Sequence, residues 1–225
     1  FKCDWSSDVA LPISVLDAID AKLGKESLAW QAPEWEVLRP SKAVSQQGAK
    51  LTVQPDGSIV SDGPRPERDI VELTVETDRK DITAFRVELI PDARFPRGGS
   101  GRGDDGKGVL TQFDIFRDGG KKLDLDRVTA SGQSPESMLE RIIRPMIQLK
   151  RGWSVDPDVA KPHYAVIGPR VMETGGRFTI RLHNEFGEGA LLGRFRVSVT
   201  SSLFPEPATE KEQKTPKYLV SHQLE

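Results

Sequence analysis

Several groups of residues in this chain are of types that do chemistry in other proteins. The first is Pro96-Arg-Gly-Gly-Ser-Gly-Arg-Gly-Asp-Asp-Gly-Lys-Gly108, where Asp104 and Asp105 stand beside the cations Arg97, Arg102 and Lys107. Carboxylates near glycine-freed carbonyls are the hard oxygen donors that calcium takes, so Asp104 and Asp105 are its candidates. The stretch is not a phosphate loop, because it has neither the GxxxxGK[ST] order nor a following helix. Arg102 has two readings: a ligand contact, or a fork that bonds backbone carbonyls and orders a long loop over a sheet edge. The second group is Gly152-Trp153 with Asp156 and His163. An aromatic face, a carboxylate and an imidazole are what a sugar subsite uses for stacking and hydroxyl hydrogen bonding. The competing reading puts Trp153 in the core and His163 at a strand start. The third group, Arg177, Arg181, His183, Arg194 and Arg196, lies on the outward faces of two alternating segments. If those strands pair, the group forms a cationic stripe for an anionic glycan or an acidic partner; otherwise Glu88, Glu185 and Glu188 neutralise it.

Catalysis is not expected. The histidines at 163, 183 and 222 have no nucleophile or metal partner at diagnostic spacing: there is no HExxH, no GxSxG and no Cys–His arrangement. Cys3 is the sole cysteine, which excludes an internal disulfide, a cysteine-based zinc site and CxxCH haem attachment. No cofactor is implied. Thirty-two basic and 34 acidic residues leave a net charge of −2, so no charge excess draws the molecule to nucleic acid or an anionic membrane. No apolar run approaches the ~20 residues of a membrane-spanning helix. The start at Phe1, without a signal-like region, fits a processed or excised piece.

The elements that must position these residues read as strands. In 193–200, Phe195, Val197 and Val199 alternate with Arg194, Arg196 and Ser198. Phe85, Val87 and Leu89 in 82–90, and Phe178, Ile180 and Leu182 in 177–183, repeat the pattern, as do Val71, Leu73 and Val75 in 69–77. Pro55-Asp56-Gly57 marks a hairpin turn between 51 and 59, 109–116 alternates less cleanly, and strand character returns at 153–155 and 164–167. Two aromatics bracketing a proline, Trp30 to Trp35, suit an edge strand entering the sheet. Turns within a dozen residues of each strand indicate a sandwich or jelly roll rather than βαβ units. Helical spacing of Ile13, Leu16, Ile19 and Leu23 predicts a short N-terminal helix, and Met138, Leu139, Ile142, Ile143 and Met146 predict a helix or helical turn inserted within 135–151. The division expected is a helical extension over 1–29, a β-sandwich module over 30–202 and a Pro-, Glu- and Lys-rich linker with a tail over 203–225.

Trp35-x-Val-Leu-x-Pro40, Asp56-Gly-Ser-Ile, Asp81-Ile-Thr-Ala-Phe-Arg-Val-Glu88, Gly99-Ser-Gly-Arg102, Gly152-Trp-Ser-Val-Asp-Pro157, His163-Tyr-Ala-Val and Leu192-Gly-Arg-Phe-Arg-Val-Ser-Val-Thr200 form an ordered series. The series resembles the galactose-binding-like β-sandwich segment of large planctomycete proteins that combine cytochrome c-type domains with the domains of unknown function 1549 and 1553. It departs from that pattern at Asp105-Gly-Lys107 and at Arg144 to Arg151. The resemblance implies a jelly-roll fold in an extracytoplasmic, periplasmic or cell-surface, non-catalytic module of a larger assembly. Its partners would be a glycan, or neighbouring domains or subunits of the parent protein. The binding of carbohydrate is the leading expectation; the other is a structural domain that docks adjacent haem or unknown-function domains and holds no small ligand.

Overall fold

Strict alternation of apolar and polar residues commits a strand to one buried and one open face, and the segments with that pattern become the centre of two antiparallel sheets. The structure is a computed structural model that describes residues 33–145, 151–155 and 159–202. In chain order its strands are β1 (Glu36–Val37), β2 (Lys42–Ser45), β3 (Lys50–Val53), β4 (Ile59–Asp62), β5 (Asp69–Thr77), β6 (Ala84–Leu89), β7 (Gln112–Arg117), β8 (Leu125–Ala130), β9 (His163–Pro169), β10 (Gly176–Asn184) and β11 (Arg194–Thr200). One sheet has seven strands in the order β3-β4-β11-β6-β9-β8, with β1 also paired to β11; the other has four, in the order β2-β5-β10-β7. Three pairings are nested about the β8–β9 connection: β8 with β9, β7 with β10, and β6 with β11.

The inward rows meet as one core. Phe85, Val87, Leu89, Phe195, Val197 and Val199 of the larger sheet pack with Val71, Leu73, Val75, Phe178, Ile180 and Leu182 of the smaller. The rings of Phe85 and Phe178 meet edge to face, their centroids 5.9 Å apart. Among the described residues the fold is all-β, two face-packed antiparallel sheets with almost no helix.

One expectation, a strand at Trp153, is corrected, and two that had alternatives, a helix or a helical turn at 135–151 and a cationic stripe or its neutralisation by glutamates, resolve to the turn and to ion pairing. The insertion at 135–151 is, in its described part, a single 3₁₀ turn over Leu139–Ile142. Leu139 and Ile142 bury against the core, so the apolar spacing reflects one anchored turn. Trp153 is not in a strand but forms an isolated bridge with Leu110. The basic residues of β10 and β11 form no common stripe, because the two strands belong to different sheets. Arg181 instead pairs with Glu72 at 2.8 Å, Arg196 with Glu88 at 2.7 Å, and Arg194 with Asp56 at 2.9 Å. Two short strands, β2 and β8, join the predicted set. The helix expected within 11–28 and the polar linker and tail expected over 203–225 lie outside the described residues.

Candidate functional site

The glycine-rich loop lies at the end of the sandwich where β10 stops. Its backbone closes on itself, with the Gly101 amide donating to the Gly106 carbonyl and the Gly103 amide to that of Lys107, both at 3.0 Å. A side chain at 101 would strike the backbone of Lys107 and Gly108, so the close approach requires glycine. The Arg102 guanidinium turns inward, donating to the Gly63 carbonyl at 2.6 Å, the Pro64 carbonyl at 2.9 Å and the Ser61 hydroxyl at 3.2 Å. Burial pushes that guanidinium below its usual range, and the nearby Asp62 charge works the other way. Of its two readings, the structure places Arg102 in the carbonyl-bonding one, as the strut of the loop.

Asp104 and Asp105 point outward and are each met by a cation. Arg65 Nη1 lies 2.6 Å from Asp104 and also donates to the Arg102 carbonyl at 2.8 Å. Asp105 accepts from the Lys107 amide at 3.0 Å and faces Lys107 Nζ at 3.1 Å. Its partial burial alone would raise the Asp105 carboxyl; the Lys107 hydrogen bonds outweigh that and hold it below the usual carboxylate range. Among the described residues, no group of three or more His, Cys, Asp and Glu side chains is placed to share a metal ion.

Trp153 is completely buried, and its indole Nε1 donates to the Gly132 carbonyl at 2.7 Å. No ring face is open to a ligand. A Cβ on Gly152 would collide with the Leu110 carbonyl, so the Gly-Trp pair is a packing device that brings the 151–155 segment against Leu110. His163, the first residue of β9, has Nδ1 3.5 Å from the Ser131 hydroxyl, and its ring packs against Gly132. Trp153, buried, and His163, half-exposed, therefore both contact the 131–134 segment. Asp156 lies outside the described residues.

The open space is next to these residues. A cleft of about 530 Å³ lies between the 103–107 turn, 134–136, the 151–154 segment and the 186–190 tip. That volume is in the range of small-molecule sites. Phe186 contributes a ring that is 37 % exposed. Glu136, Arg151 and Glu188 also line it, and among the described residues none of the three has an ion pair. Asp104 and Asp105 complete the polar wall with their cations already in place. The tip holds three consecutive residues in left-handed conformation, Gly187 (φ 107°), Glu188 (φ 58°) and Gly189 (φ 64°). Glutamate at such a position is unfavourable relative to glycine, so the tip carries a backbone cost at the cleft edge.

An exposed aromatic ring beside carboxylates and a guanidinium that have no ion pair among the described residues can stack on an apolar face and hydrogen-bond a hydroxyl group as acceptor or as donor. Sequence reasoning missed Phe186, Glu136 and Arg151 and gave Glu188 only a neutralising role. The available signal was Glu185-Phe-Gly-Glu-Gly189, an aromatic in a glycine-rich turn between two well-marked strands. No family model, curated protein or solved structure matches this chain.

Proposed function

We propose that this chain is a non-catalytic, carbohydrate-binding β-sandwich module of the galactose-binding-like, jelly-roll kind. It would work outside the cytoplasm within a larger multidomain protein, with the sugar in the cleft between the 103–107 turn and the 186–190 tip. The nested pairing of β8 with β9, β7 with β10 and β6 with β11 supports the jelly-roll reading, since a rolled-up hairpin pairs its strands in that order. The extracytoplasmic setting is supported only by the motif series read from the sequence.

The observation that carries the ligand reading is the cleft itself. Phe186 offers the stacking face that buried Trp153 cannot, and Glu136, Arg151 and Glu188 offer hydrogen-bonding groups that have no ion pair among the described residues. A glycan array probed with the whole chain tests this. Capture by at least one oligosaccharide, lost in Phe186→Ala and reduced in Arg151→Ala, is the expected result; no capture, or capture indifferent to Phe186, would overturn it.

The second reading is a docking domain for neighbouring haem or unknown-function domains. It is favoured by the burial of Trp153 and by Val171 and Met172, which are 66 % and 61 % exposed in the β9–β10 connection, at the opposite end of β10 from the cleft.

A further inference from the structure

β10 ends on its outward face with His183, and Glu185 follows at the base of the 186–190 tip. The His183 side chain is only 12 % exposed, and a carboxylate faces each ring nitrogen: Asp114 Oδ2 lies 3.1 Å from Nε2, and Glu185 Oε2 lies 3.8 Å from Nδ1. Nδ1 is buried and among the described residues has no hydrogen bond. From β7, Asp114 also receives the Gln112 amide at 2.6 Å, and its other oxygen pairs with Lys122 at 2.7 Å. From β5, the residue opposite His183 is Ile70. Its neighbours are already engaged, Asp69 by the Ser45 hydroxyl at 2.6 Å and Glu72 by Arg181 at 2.8 Å. Glu67 and Arg68 border the shallow hollow that Glu185 shares.

A neutral imidazole has one N–H and one lone pair. Either tautomer therefore turns a lone pair toward a carboxylate, at Glu185 if Nε2 carries the proton and at Asp114 if Nδ1 does. Only the imidazolium donates to both. We propose that His183 is a pH-sensing tie whose protonation fastens Glu185, and with it the base of the 186–190 tip, to the outer face of the four-stranded sheet. The backbone here is already drawn to β7, since the Thr111 hydroxyl donates to the His183 carbonyl at 2.9 Å and accepts the Glu185 amide at 3.1 Å. Closing Glu185 onto Nδ1 draws its carboxylate against the sheet next to Phe186. The consequence for the cleft, tighter presentation of Phe186 and Glu188 at acidic pH, rests on the carbohydrate reading above; the tie does not.

The experiment is NMR of the whole chain between about pH 5 and 8, the range in which histidine charge usually changes. Ring nitrogen shifts of His183 and exchange of the 186–189 amides are followed in the wild type, His183→Gln and Glu185→Ala. Both ring nitrogens are expected to be protonated at the acid end, with the tip amides exchanging on the order of tenfold more slowly there after correction for intrinsic rates, the effect of one charge-assisted hydrogen bond. Each substitution should abolish that difference while leaving the amides of β5 and β11 unchanged. Tip exchange that is independent of pH in the wild type, or a dependence that survives Glu185→Ala, would overturn the tie. A glycan captured equally at both ends of the pH range would overturn its role at the cleft and leave the carbohydrate reading intact. A tip that tightens while no glycan is captured would uphold the tie and remove that reading.

Discussion

Replacing Trp153 by alanine separates a packing residue from a binding platform. The ring is completely buried in the same cluster as Leu110, Leu139 and Ile142, and its Nε1 is the donor to Gly132. Removing a buried aromatic of this size costs about 3–5 kcal/mol. The Gly132 carbonyl is then left without that donor, which adds about 1 kcal/mol. The sum, about 4–6 kcal/mol, is a large part of the roughly 5–15 kcal/mol that holds a folded protein together. In a protein of this size it lowers the melting temperature by on the order of 15 °C. Phe186→Ala, at the rim of the cleft, is expected to cost only about 1 kcal/mol. Urea titrations followed by tryptophan-independent far-UV circular dichroism, with calorimetry of both variants, make the comparison. A Trp153→Ala protein melting close to the wild type would refute the packing argument, and loss of glycan capture in that stable variant would restore the ring as a platform.

Acid stability should report on two carboxylates. Asp56 is held at about 2, chiefly by the Ser58 hydroxyl at 2.6 Å, and Asp92 at about 2, chiefly by the Arg94 guanidinium at 2.6 and 2.8 Å; burial opposes both shifts and Arg194 assists both. A carboxyl whose folded value is lowered adds stability above its unfolded value and loses it as pH falls through the folded one, so this contribution disappears between about pH 4 and 2. The urea midpoint of Asp92→Asn should fall less steeply over that interval than that of the wild type, and parallel slopes would contradict the assignment. Removing divalent cations with EDTA should leave the melting temperature unchanged, because Arg102, Arg65 and Lys107 hold the glycine-rich loop; a rise on adding calcium would contradict this.

What could be read in the chain was face, and what could not was partnership. Alternation in 69–77, 177–183 and 193–200 identified the buried rows because the pleat sends successive side chains to opposite sides. The same pattern cannot say which strand lies beside which, so Arg181 and Arg194 read as one stripe although Glu72 and Asp56 hold them in separate sheets. β8 was hidden because the adjacent charges Asp126 and Arg127 interrupt its alternation. Trp153 has the composition of a sugar platform, and its burial depends on a distant contact, with Leu110, that local sequence does not encode. The cleft draws on segments from residue 103 to residue 190, so Phe186 and Arg151 become neighbours only through the fold.

The most direct test of the central claim is a two-dimensional NMR titration of the labelled chain with neutral oligosaccharides, mapping the amides that move. The carbohydrate account predicts saturable shifts confined to 103–107, 134–136, 151–154 and 186–190, absent in Phe186→Ala. Shifts that cluster instead around Val171 and Met172, or no saturable shifts at all, would contradict it.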